Sequence, residues 1–540
     1  ETRAYQRHDM FQRPHESHLW RGLQHPARAC ALVGLIDRNA AMLRHAARCA
    51  MAMAMRPDWS WGYYRVAGTR WFGVPGQNAQ MLHAMMEVLD WAGSALTPRG
   101  RSKCWDAAMR QGVGHVLHCM SRSDWLYHHN HGMHGAVVLC MAGVALAGES
   151  RTGGWLLETA EEMLRQTLSG VFLDDGATVE GPGYWGNVVA QCGILLALAR
   201  HRNMPVRDYI RSRRLPEGIL RTHDYFLTVM SNARDVAAGT YLPVNDSGWD
   251  REPVCRPEAL AVAAAISGEP VMQALHARRL GNIAAHFEAF SMGPQLLLMM
   301  PPRPDVQIAV SPTFHVLERQ GSLTCRRAGP VGDVRLNLLG WQGQPGGHAH
   351  EDKGSIILEV DGECLLADPG VTIYTDPRTP LLQRSACHNL LIPLDAEGLP
   401  LRQNASCREP ISVRGTLADG VLHAAVDITP AWAGLCLENR RGITSADSCH
   451  ITLRDMMRFS APQAVMLNFV SQFPIRSEGA SWIVAGERAA VRITPEWTPA
   501  RVCIDGNGID HRLRPLYRLK LHAQPRCLHE LVTQLVVDAV

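Results

Sequence analysis

The sequence predicts an α+β protein of two large domains, a helical N-terminal domain followed by an antiparallel β-sandwich. Apolar residues recur every three or four positions from about residue 19 to residue 290, as in QMLHAMMEVLDWAGSAL, and this spacing is typical of amphipathic helices. The segment MMPPRPDVQ, residues 299–307, places three prolines where a helix would not tolerate them. Beyond it, short β-branched segments such as SIILEVDGECLLAD and HELVTQLVV alternate with turn residues, as in antiparallel strands. We therefore expect domains at residues 1–300 and 301–540.

The helical half shows no fixed repeat length. Successive helices joined by short turns would pack either as stacked pairs or as an incomplete ring of helical hairpins, and the pattern alone leaves both arrangements open. The strand-rich half is expected to form a β-sandwich of two or more layers.

Charge and hydropathy argue against two classes of partner. Lys and Arg number 54 against 51 Asp and Glu, which gives a net charge of +3. Such a balance predicts no extended basic surface for nucleic acid or for a membrane. Apolar runs such as AVVLCMAGVALA, residues 136–147, are shorter than the ~20 residues that cross a bilayer. We expect neither nucleic-acid binding nor a membrane span.

The chain start and the cysteines bear on location. The sequence begins at Glu1 without a basic and then apolar leader, so we expect a signal peptide to be either absent or already removed. Fifteen cysteines, with no CxxC pair, argue against a disulfide framework and against a cysteine-built zinc module. Most of them should be buried free thiols, a pattern that favours a reducing compartment.

The densest group of candidate residues lies in GGHAHEDKGSIILEVDGECLLADPGVTIY, residues 346–374, and in RSACHNLL, residues 384–391. A turn at Asp361 and Gly362 would fold the flanking strands into a hairpin and bring His350 and Asp368 to the same open end. With His388 from a neighbouring strand, two imidazoles, one carboxylate and a water would suit tetrahedral zinc. The alternative is that all three are hydrogen-bonded polar residues of the core.

Two segments of the helical half carry further polar residues before apolar helices. In FLDDGATVEGPGYWGNVV, residues 172–189, Tyr184 would stand at the start of a helix, either in a cleft or as a boundary residue packed on Trp185. In LYHHNHGMHGAVVLC, residues 126–140, Asn130 and His131 precede an apolar helix whose N-terminus would favour an anion. The other histidines there, His128, His129 and His134, lack an Asp or Cys at metal-ligand spacing. For these we expect surface or supporting roles.

A fourth segment, YLPVNDSGWD, residues 241–250, contains Asn245 and Asp246. These polar side chains are candidates to line a binding cleft. A turn that caps a helix is the equally weighted alternative.

Together these segments resemble the heparinase II/III-like polysaccharide lyases. The shared pattern is HxHxDxxS, a strand pair ending in DPG, and RxxxHN in the second half, with DG…E…Y and NHG in the first half. One departure is Ile356, where an aromatic residue often follows the serine. The resemblance implies an incomplete (α/α) toroid followed by an antiparallel β-sandwich, with the active cleft between them. It implies β-elimination of a uronic-acid-containing glycan, which leaves an unsaturated uronate on the product.

The resemblance also assigns roles to residues. His348, two positions before His350, would face the cleft as a catalytic or substrate-contacting histidine, and zinc would brace the sandwich. Tyr184 would be the acid, and the base would be Tyr184 itself, His131 or His348, depending on the sugar stereochemistry. The expected sets are: catalytic, Tyr184, His131, His348 and Asn130; substrate-binding, Glu180, Asn245, Asp246 and Arg384; and zinc, His350, Asp368 and His388.

The implied partner is an acidic polysaccharide or oligosaccharide, and a homodimer is a candidate assembly. A polymer substrate favours a periplasmic or secreted location, with the cytoplasm as the alternative. Two rival functions stay open from the sequence. One is a toroid glycoside hydrolase that uses Asp174, Asp175 or Glu180 as paired carboxylates. The other is a non-catalytic glycan-binding protein on the same scaffold.

Overall fold

The computed structural model describes most of both halves of the chain. The described residues are 14–57, 59, 75–147, 151–230, 242, 244–247, 257–280, 314–344, 348–372, 376–404 and 407–540. The predicted domain boundary at residues 299–307 lies outside them. Helices occur up to Leu280 and strands start at Phe314, so the order of the two halves is as predicted.

The first half consists of helices joined by turns and loops in the part that the structure describes. A short π-helical segment, Ala108–Val113, separates α4 from α5. The helices are Pro14–Ile36 (α1), Ala40–Ala54 (α2), Gly76–Trp91 (α3), Pro98–Ala107 (α4), Gly114–Arg122 (α5), Asn130–Ala147 (α6), Arg151–Val171 (α7), Pro182–Gln191 (α8), Gly193–His201 (α9), Val206–Ser212 (α10), Thr222–Val229 (α11), Pro257–Ser267 (α12) and Pro270–Leu280 (α13).

Helix α6 lies at the centre of the helical core. Its apolar residues, among them Val137, Val138 and Leu139, are fully or almost fully buried. Helix α6 is also long and apolar enough to cross a membrane. The shorter apolar run at residues 136–147 did not suggest this. Inside the fold, 56% of the helix is buried. A core helix passes the same test, and burial of its middle, from Gly132 to Gly143, favours that interpretation here.

The second half forms two antiparallel sheets that pack on each other. The sheet of five strands has the order β1-β2-β3-β4-β5, and the larger sheet has the order β11-β12-β13-β15-β10-β9-β8-β7, with β14 paired to β15 and β6 to β10. The strands are Phe314–Leu317 (β1), Ser322–Gly329 (β2), Gly332–Leu339 (β3), Ile356–Val360 (β4), Glu363–Leu366 (β5), Leu391–Pro393 (β6), Val413–Ala418 (β7), Val421–Asp427 (β8), Glu438–Ser445 (β9), His450–Ser471 (β10), Ile475–Glu478 (β11), Ser481–Ala485 (β12), Ala489–Pro495 (β13), Arg501–Ile509 (β14) and Pro515–Ala539 (β15).

One apolar core lies between the sheets. It joins Leu336 and Leu358 of the smaller sheet to Leu453 and Leu535 of the larger one. Alternation along the strands produces this core, as in β8, where every second residue is buried. The predicted sandwich is therefore confirmed.

The predicted hairpin between β4 and β5 is present. Asp361 and Gly362 both have positive φ, at 45° and 90°, and Val360 pairs with Glu363 across the turn. A two-residue turn with positive φ at both positions matches the twist of antiparallel strands. It sends β5 back toward the end of the sheet from which β4 starts.

Buried polar contacts join the helical half to the smaller sheet. The guanidinium of Arg335 on β3 is fully buried and donates to the Thr228 carbonyl and, at 3.0 Å, to the Leu227 carbonyl at the end of α11. The Gln342 side-chain amide donates to the Val179 carbonyl at 2.9 Å. The carbonyls of Leu227 and Thr228, at the end of α11, are thus satisfied by the sheet. These bonds fix the relative position of the two halves, and the candidate site lies at this junction.

The cysteines that the structure describes are all free thiols. This agrees with the prediction that they do not form a disulfide framework.

Candidate functional site

The candidate site is assembled from segments of both halves. The helical half contributes the start of α6 at Asn130, the start of α8 with Tyr184 in its first turn, and the loop at residues 244–247. The sandwich contributes the loop that begins at His348, before β4. Tyr184 and Asn130 therefore stand at helix starts, as predicted.

The loop before α8 has a backbone that requires glycine. Gly181 has a φ of +88°, and a Cβ there would lie 2.9 Å from the Asn245 side-chain nitrogen. The Gly183 amide donates to Ser247 Oγ at 3.0 Å. The two loops of the helical half are therefore in direct contact, and this contact positions Tyr184.

Glu180 is a buried anion at the centre of the site. Its carboxylate accepts the Asn130 backbone amide at 2.7 Å and the Asn130 side-chain amide at 2.9 Å. Nε2 of His129 and Nε2 of His348 each lie 3.2 Å from its Oε1. Burial alone would raise the pKa of Glu180, but these histidines and Asn130 lower the pKa to about 2. Glu180 is only 1% exposed and holds the side chains around it in place. The predicted direct contact between Glu180 and the substrate does not fit this geometry.

Tyr184 and His348 form the closest ring pair of the site. Their ring centroids are 3.8 Å apart and the planes differ by 14°. His348 Nδ1 lies 2.8 Å from Asp246 Oδ2, while its Nε2 faces Glu180. Burial would lower the pKa of His348, yet the hydrogen bonds to Asp246 and Glu180 raise the pKa to about 9. The two carboxylates thus hold the ring in one orientation against the phenol.

Asp246 lies behind His348 and does not face the cleft. Its side chain is 1% exposed, and its two oxygens accept from His348, from His350 Nε2 at 2.8 Å and from Gln383 Nε2 at 2.8 Å. Burial acts to raise the pKa of Asp246, but the hydrogen bonds from His348 and His350 outweigh it and hold the pKa far below its usual range. The expected contact between Asp246 and a sugar hydroxyl is therefore not supported, because both oxygens are already engaged by side chains.

A row of aromatic rings connects His131 to Tyr184. His131 stacks on His129 at 5.0 Å, and His129 lies 5.5 Å from His348, which stacks on Tyr184. Burial and the neighbouring His129 lower the pKa of His131 to about 3, so its imidazole is neutral at neutral pH. The residues predicted to be catalytic thus come together in a single cluster.

Two predicted substrate-binding residues lie at the edges of this cluster. Asn245 is partly buried, has a φ of 55°, and lines a cavity between the two halves together with Gly181 and Asp352. Arg384 is exposed and follows Gln383 directly. A cationic side chain at that place suits a substrate carboxylate or sulfate, and substrate binding by both residues stays a prediction.

Comparison with known proteins agrees with the sandwich and its motifs. Residues 328–497 match the model of the family "Heparinase II/III-like, C-terminal". No curated protein matches the chain significantly.

Solved structures extend the similarity over both halves. A heparinase III gene product superposes with a TM-score of 0.63 at 11% identity, covering 95% of this chain and 77% of that one. The heparan sulfate lyase HepC from Pedobacter heparinus gives a TM-score of 0.61 at 12% identity, covering 95% and 75%. Another heparinase III structure gives 0.62 at 12% identity, covering 94% and 75%. These matches confirm the predicted fold class, an incomplete (α/α) toroid followed by an antiparallel β-sandwich.

Inside the matched segment, two buried histidines stand at the predicted metal position. The rings of His350 and His388 are 5.6 Å apart, and neither residue is exposed. Within the described part of the chain, His350 Nδ1 and His388 Nε2 have no hydrogen-bond partner, which is costly for buried polar atoms. Asp368 Oδ2 lies 2.9 Å from His388 Nδ1. The two unpartnered nitrogens would supply two zinc ligands, while Asp368 Oδ2 faces Nδ1, on the opposite side of the His388 ring from Nε2, and orients that ring. Binding of zinc by all three residues stays a prediction.

The cleft contains a second group with metal-ligand atoms. Donor atoms of His129, Glu180 and His348 lie within 4.8 Å of one another. That group already has internal partners, because Glu180 accepts two hydrogen bonds from Asn130 and Asp246 holds His348. Among the described residues, His350 Nδ1 and His388 Nε2 have no hydrogen-bond partner, whereas His348 Nε2 lies 3.2 Å from Glu180. We therefore favour His350, Asp368 and His388 for an ion, and zinc there stays a prediction.

The carboxylates of the rival hydrolase are not paired across a cleft. Asp175 Oδ2 accepts the backbone amides of Arg319 and Gln320, each at 2.9 Å, and so joins the two halves. The Asp174 side chain is exposed and lies 3.6 Å from Arg319. Glu180 is engaged by Asn130. A hydrolase needs one carboxylic acid and one carboxylate directed at the same bond, and this geometry does not favour it.

Sequence reasoning missed one residue of the site and gave another only a general role. Gln383, whose amide contacts Asp246, lies just before the RxxxHN pattern and carries no recognisable motif of its own. His129 was expected only to support the site, and its 3.2 Å contact with Glu180 agrees with that role.

Proposed function

We propose that this protein is a polysaccharide lyase that cleaves a uronic-acid-containing glycan by β-elimination and leaves an unsaturated uronate on the product. The observation that carries the proposal is the stacking of Tyr184 on His348 at 3.8 Å, beside Asn130 at the start of α6. A phenol, an imidazole and an amide at a helix start are the groups that this elimination needs. The similarity to heparinase III structures supports the scaffold, while the chemistry rests on these side chains.

Elimination begins with the uronate carboxylate. Removing the hydrogen on C5 develops negative charge on the adjacent carboxylate, so donors aimed at it lower the barrier by a few kcal/mol each. The Asn130 amide has two N–H groups, and one of them donates to Glu180. The second N–H and the neutral imidazole of His131 would bind the substrate carboxylate, assisted by the positive end of α6.

Tyr184 is the group best placed to move protons. Both ring nitrogens of His348 face carboxylates, at 2.8 Å and 3.2 Å, so neither has a lone pair directed at substrate. The pKa of His131, about 3, makes it a weak base at neutral pH. We therefore assign both the removal of the C5 proton and the protonation of O4 to Tyr184. This requires both atoms to lie on the same face of the sugar.

Zinc would act as a structural ion in this proposal. His350, Asp368 and His388 would hold it, and it would cross-link the loop before β4, the end of β5 and the turn before β6. No proton transfer needs it.

The remaining expectations become part of the same proposal. The partner is an acidic polysaccharide or oligosaccharide, and Arg384 and Asn245 contact its sugars at the edges of the cleft. A periplasmic or secreted location suits a polymer substrate, and a homodimer is the proposed assembly. The choice among uronate polymers depends on loops that contact neighbouring sugars.

The deciding experiment incubates the protein with a panel of uronate polymers, including heparan sulfate, chondroitin, hyaluronan and alginate. Elimination creates a double bond conjugated to the carboxylate, so ultraviolet absorbance should increase together with new reducing ends for at least one polymer. New reducing ends without absorbance would indicate a hydrolase. Binding without either product would indicate a glycan-binding protein.

A further inference from the structure

The buried carboxylate of Asp246 connects the two clusters of the site. Its Oδ2 is 2.8 Å from Nδ1 of His348, the ring stacked on Tyr184. Its Oδ1 is 2.8 Å from Nε2 of His350, whose other nitrogen has no partner among the described residues. Asp246 comes from the helical half, while both histidines come from the sandwich. One side chain thus touches the histidine stacked on Tyr184 and the histidine at the predicted metal position.

We propose that Asp246 is a positioning residue that couples occupancy of the metal site to the placement of His348 against Tyr184. The proposal rests on the proposed function for the role of His348. A carboxylate only accepts hydrogen bonds, so Nε2 of His350 and Nδ1 of His348 both carry the hydrogen that faces Asp246. The Nδ1 lone pair of His350 is then available for a metal. Asp246 therefore fixes the tautomer of His350 and the ring orientation of His348, whose two nitrogens both face carboxylates.

Gln383 extends this link to the second predicted metal histidine. Its amide donates to Asp246 Oδ1 at 2.8 Å, on the same oxygen that holds His350. Gln383 directly precedes the turn that carries Ser385 and His388, and Glu351 binds the Ser385 backbone amide at 2.9 Å. An ion bound between His350 and His388 would therefore change the positions of the two segments that contact Asp246, one containing His350 and the other Gln383. Carboxylates that orient metal-bound histidines are worth about 10–100-fold in metal affinity.

Coupling of this kind has to act in both directions. If metal binding improves the placement of His348 through Asp246, a change at Asp246 has to alter both the zinc affinity and the turnover. Substitution of a residue that only stabilises the fold would not selectively change the zinc affinity or the turnover.

The experiment compares Asp246→Asn with Asp175→Asn as a matched control. Asp175 is also a buried carboxylate that joins the two halves, but it binds backbone amides. Zinc affinity is measured by competition with a chromophoric chelator, with zinc alone as the probe. We expect Asp246→Asn to weaken zinc binding by about 10–100-fold, while Asp175→Asn keeps wild-type affinity and loses thermal stability.

Kinetics of the zinc-saturated proteins complete the test. Asp246→Asn should lower kcat with little change in KM, and removal of zinc should lower kcat in the wild type but produce no further decrease in the variant. Wild-type zinc affinity in Asp246→Asn, or no zinc bound by the wild type, would overturn the proposal.

A second variant covers the case in which Asp246→Asn does not fold. Gln383→Met removes one donor from the same carboxylate oxygen while preserving side-chain size, and it should lower zinc affinity and kcat together by a smaller factor. No change in either quantity overturns the coupling. Because zinc affinity is measured without substrate, failure of the coupling is distinguishable from failure of the lyase proposal, which the absorbance assay on the wild type decides.

Discussion

The phenol ring of Tyr184 lies flat against the imidazole of His348, with 3.8 Å between the ring centres, although the two residues belong to different halves of the chain. Tyr184 is held by the contact between the loop before α8 and the loop at residues 244–247, and His348 by the carboxylates of Asp246 and Glu180. The pair therefore exists only when both domains are docked.

Replacing Tyr184 with Phe should abolish most turnover and leave the fold intact. The phenyl ring preserves the stacking on His348, and only the proton-transferring hydroxyl is lost. We expect kcat to fall by about 10³-fold or more, in line with the loss of general acid–base catalysis, as measured by product absorbance.

Tyr209→Phe is the control for this substitution. The Tyr209 hydroxyl donates to Glu161 at 2.9 Å within the helical core, away from the site. This variant should lose some stability and keep its kcat. A Tyr184→Phe protein with near-wild-type kcat would remove Tyr184 from the mechanism.

Replacing Asn130 with Ala should lower kcat by about 10²-fold, because it removes a donor to the charge that develops on the substrate carboxylate. It also leaves Glu180 without the side-chain hydrogen bond. Steady-state kinetics of Asn130→Ala against Asn78→Ala, whose amide donates to the Gln111 carbonyl in the helical core, checks this. Equal kinetics of the two variants would contradict the assigned role.

Replacing His388 with Ala should remove about one zinc ion per chain and lower the thermal stability of the sandwich. Elemental analysis and thermal unfolding with and without a chelator measure both effects. The control is His529→Ala, which removes another buried histidine of the sandwich, one that contacts the Gln463 carbonyl at 2.8 Å. Equal metal content in His388→Ala and the wild type would exclude this position as the zinc site.

Acid should destabilise the helical domain through Glu87. This buried carboxylate on α3 is paired with Arg28 of α1 and lies 3.0 Å from His83. Burial would raise the pKa of Glu87, but Arg28 and His83 lower the pKa from 4.5 to about 2. Because the pKa is depressed in the folded state, the stabilisation is complete above about pH 4.5 and is lost as the pH falls toward 2. Its size is on the order of 3 kcal/mol.

Urea unfolding of the wild type and of Glu87→Gln, followed by helical circular dichroism at pH 7 and at pH 3, tests this linkage. The difference in the free energy of unfolding should be large at pH 7 and smaller at pH 3. A difference that stays constant with pH would show that Glu87 does not titrate as proposed.

The sequence was sufficient for the fold class and for the strand segments because their periodicities are strong. The β4–β5 hairpin follows from Asp361 and Gly362, and helix starts at Asn130 and Pro182 follow from the polar and glycine-rich segments that precede apolar runs. The domain boundary is different, since a cluster of prolines indicates a break in a helix without fixing where the next strand begins.

The assignments for Asp246 and Glu180 could not be obtained in the same way. A polar loop in a sequence indicates exposure, and both residues are about 99% buried because histidines from distant segments surround them. The partners of Asp246, which are His348, His350 and Gln383, lie more than a hundred residues away along the chain, and no local pattern encodes that distance.

The buried guanidinium of Arg335 also affects the geometry of the candidate site. It binds carbonyls at the end of α11 from the sheet that also leads to His348, so it helps set the angle at which the toroid meets the sandwich. A tilt that displaced the two halves by a single ångström would separate the Tyr184 ring from the His348 ring. Misplacement of reacting groups on that scale lowers the reaction rate by about a hundredfold. Loss of the Arg335 guanidinium would then lower the rate of the reaction, although this side chain touches no sugar.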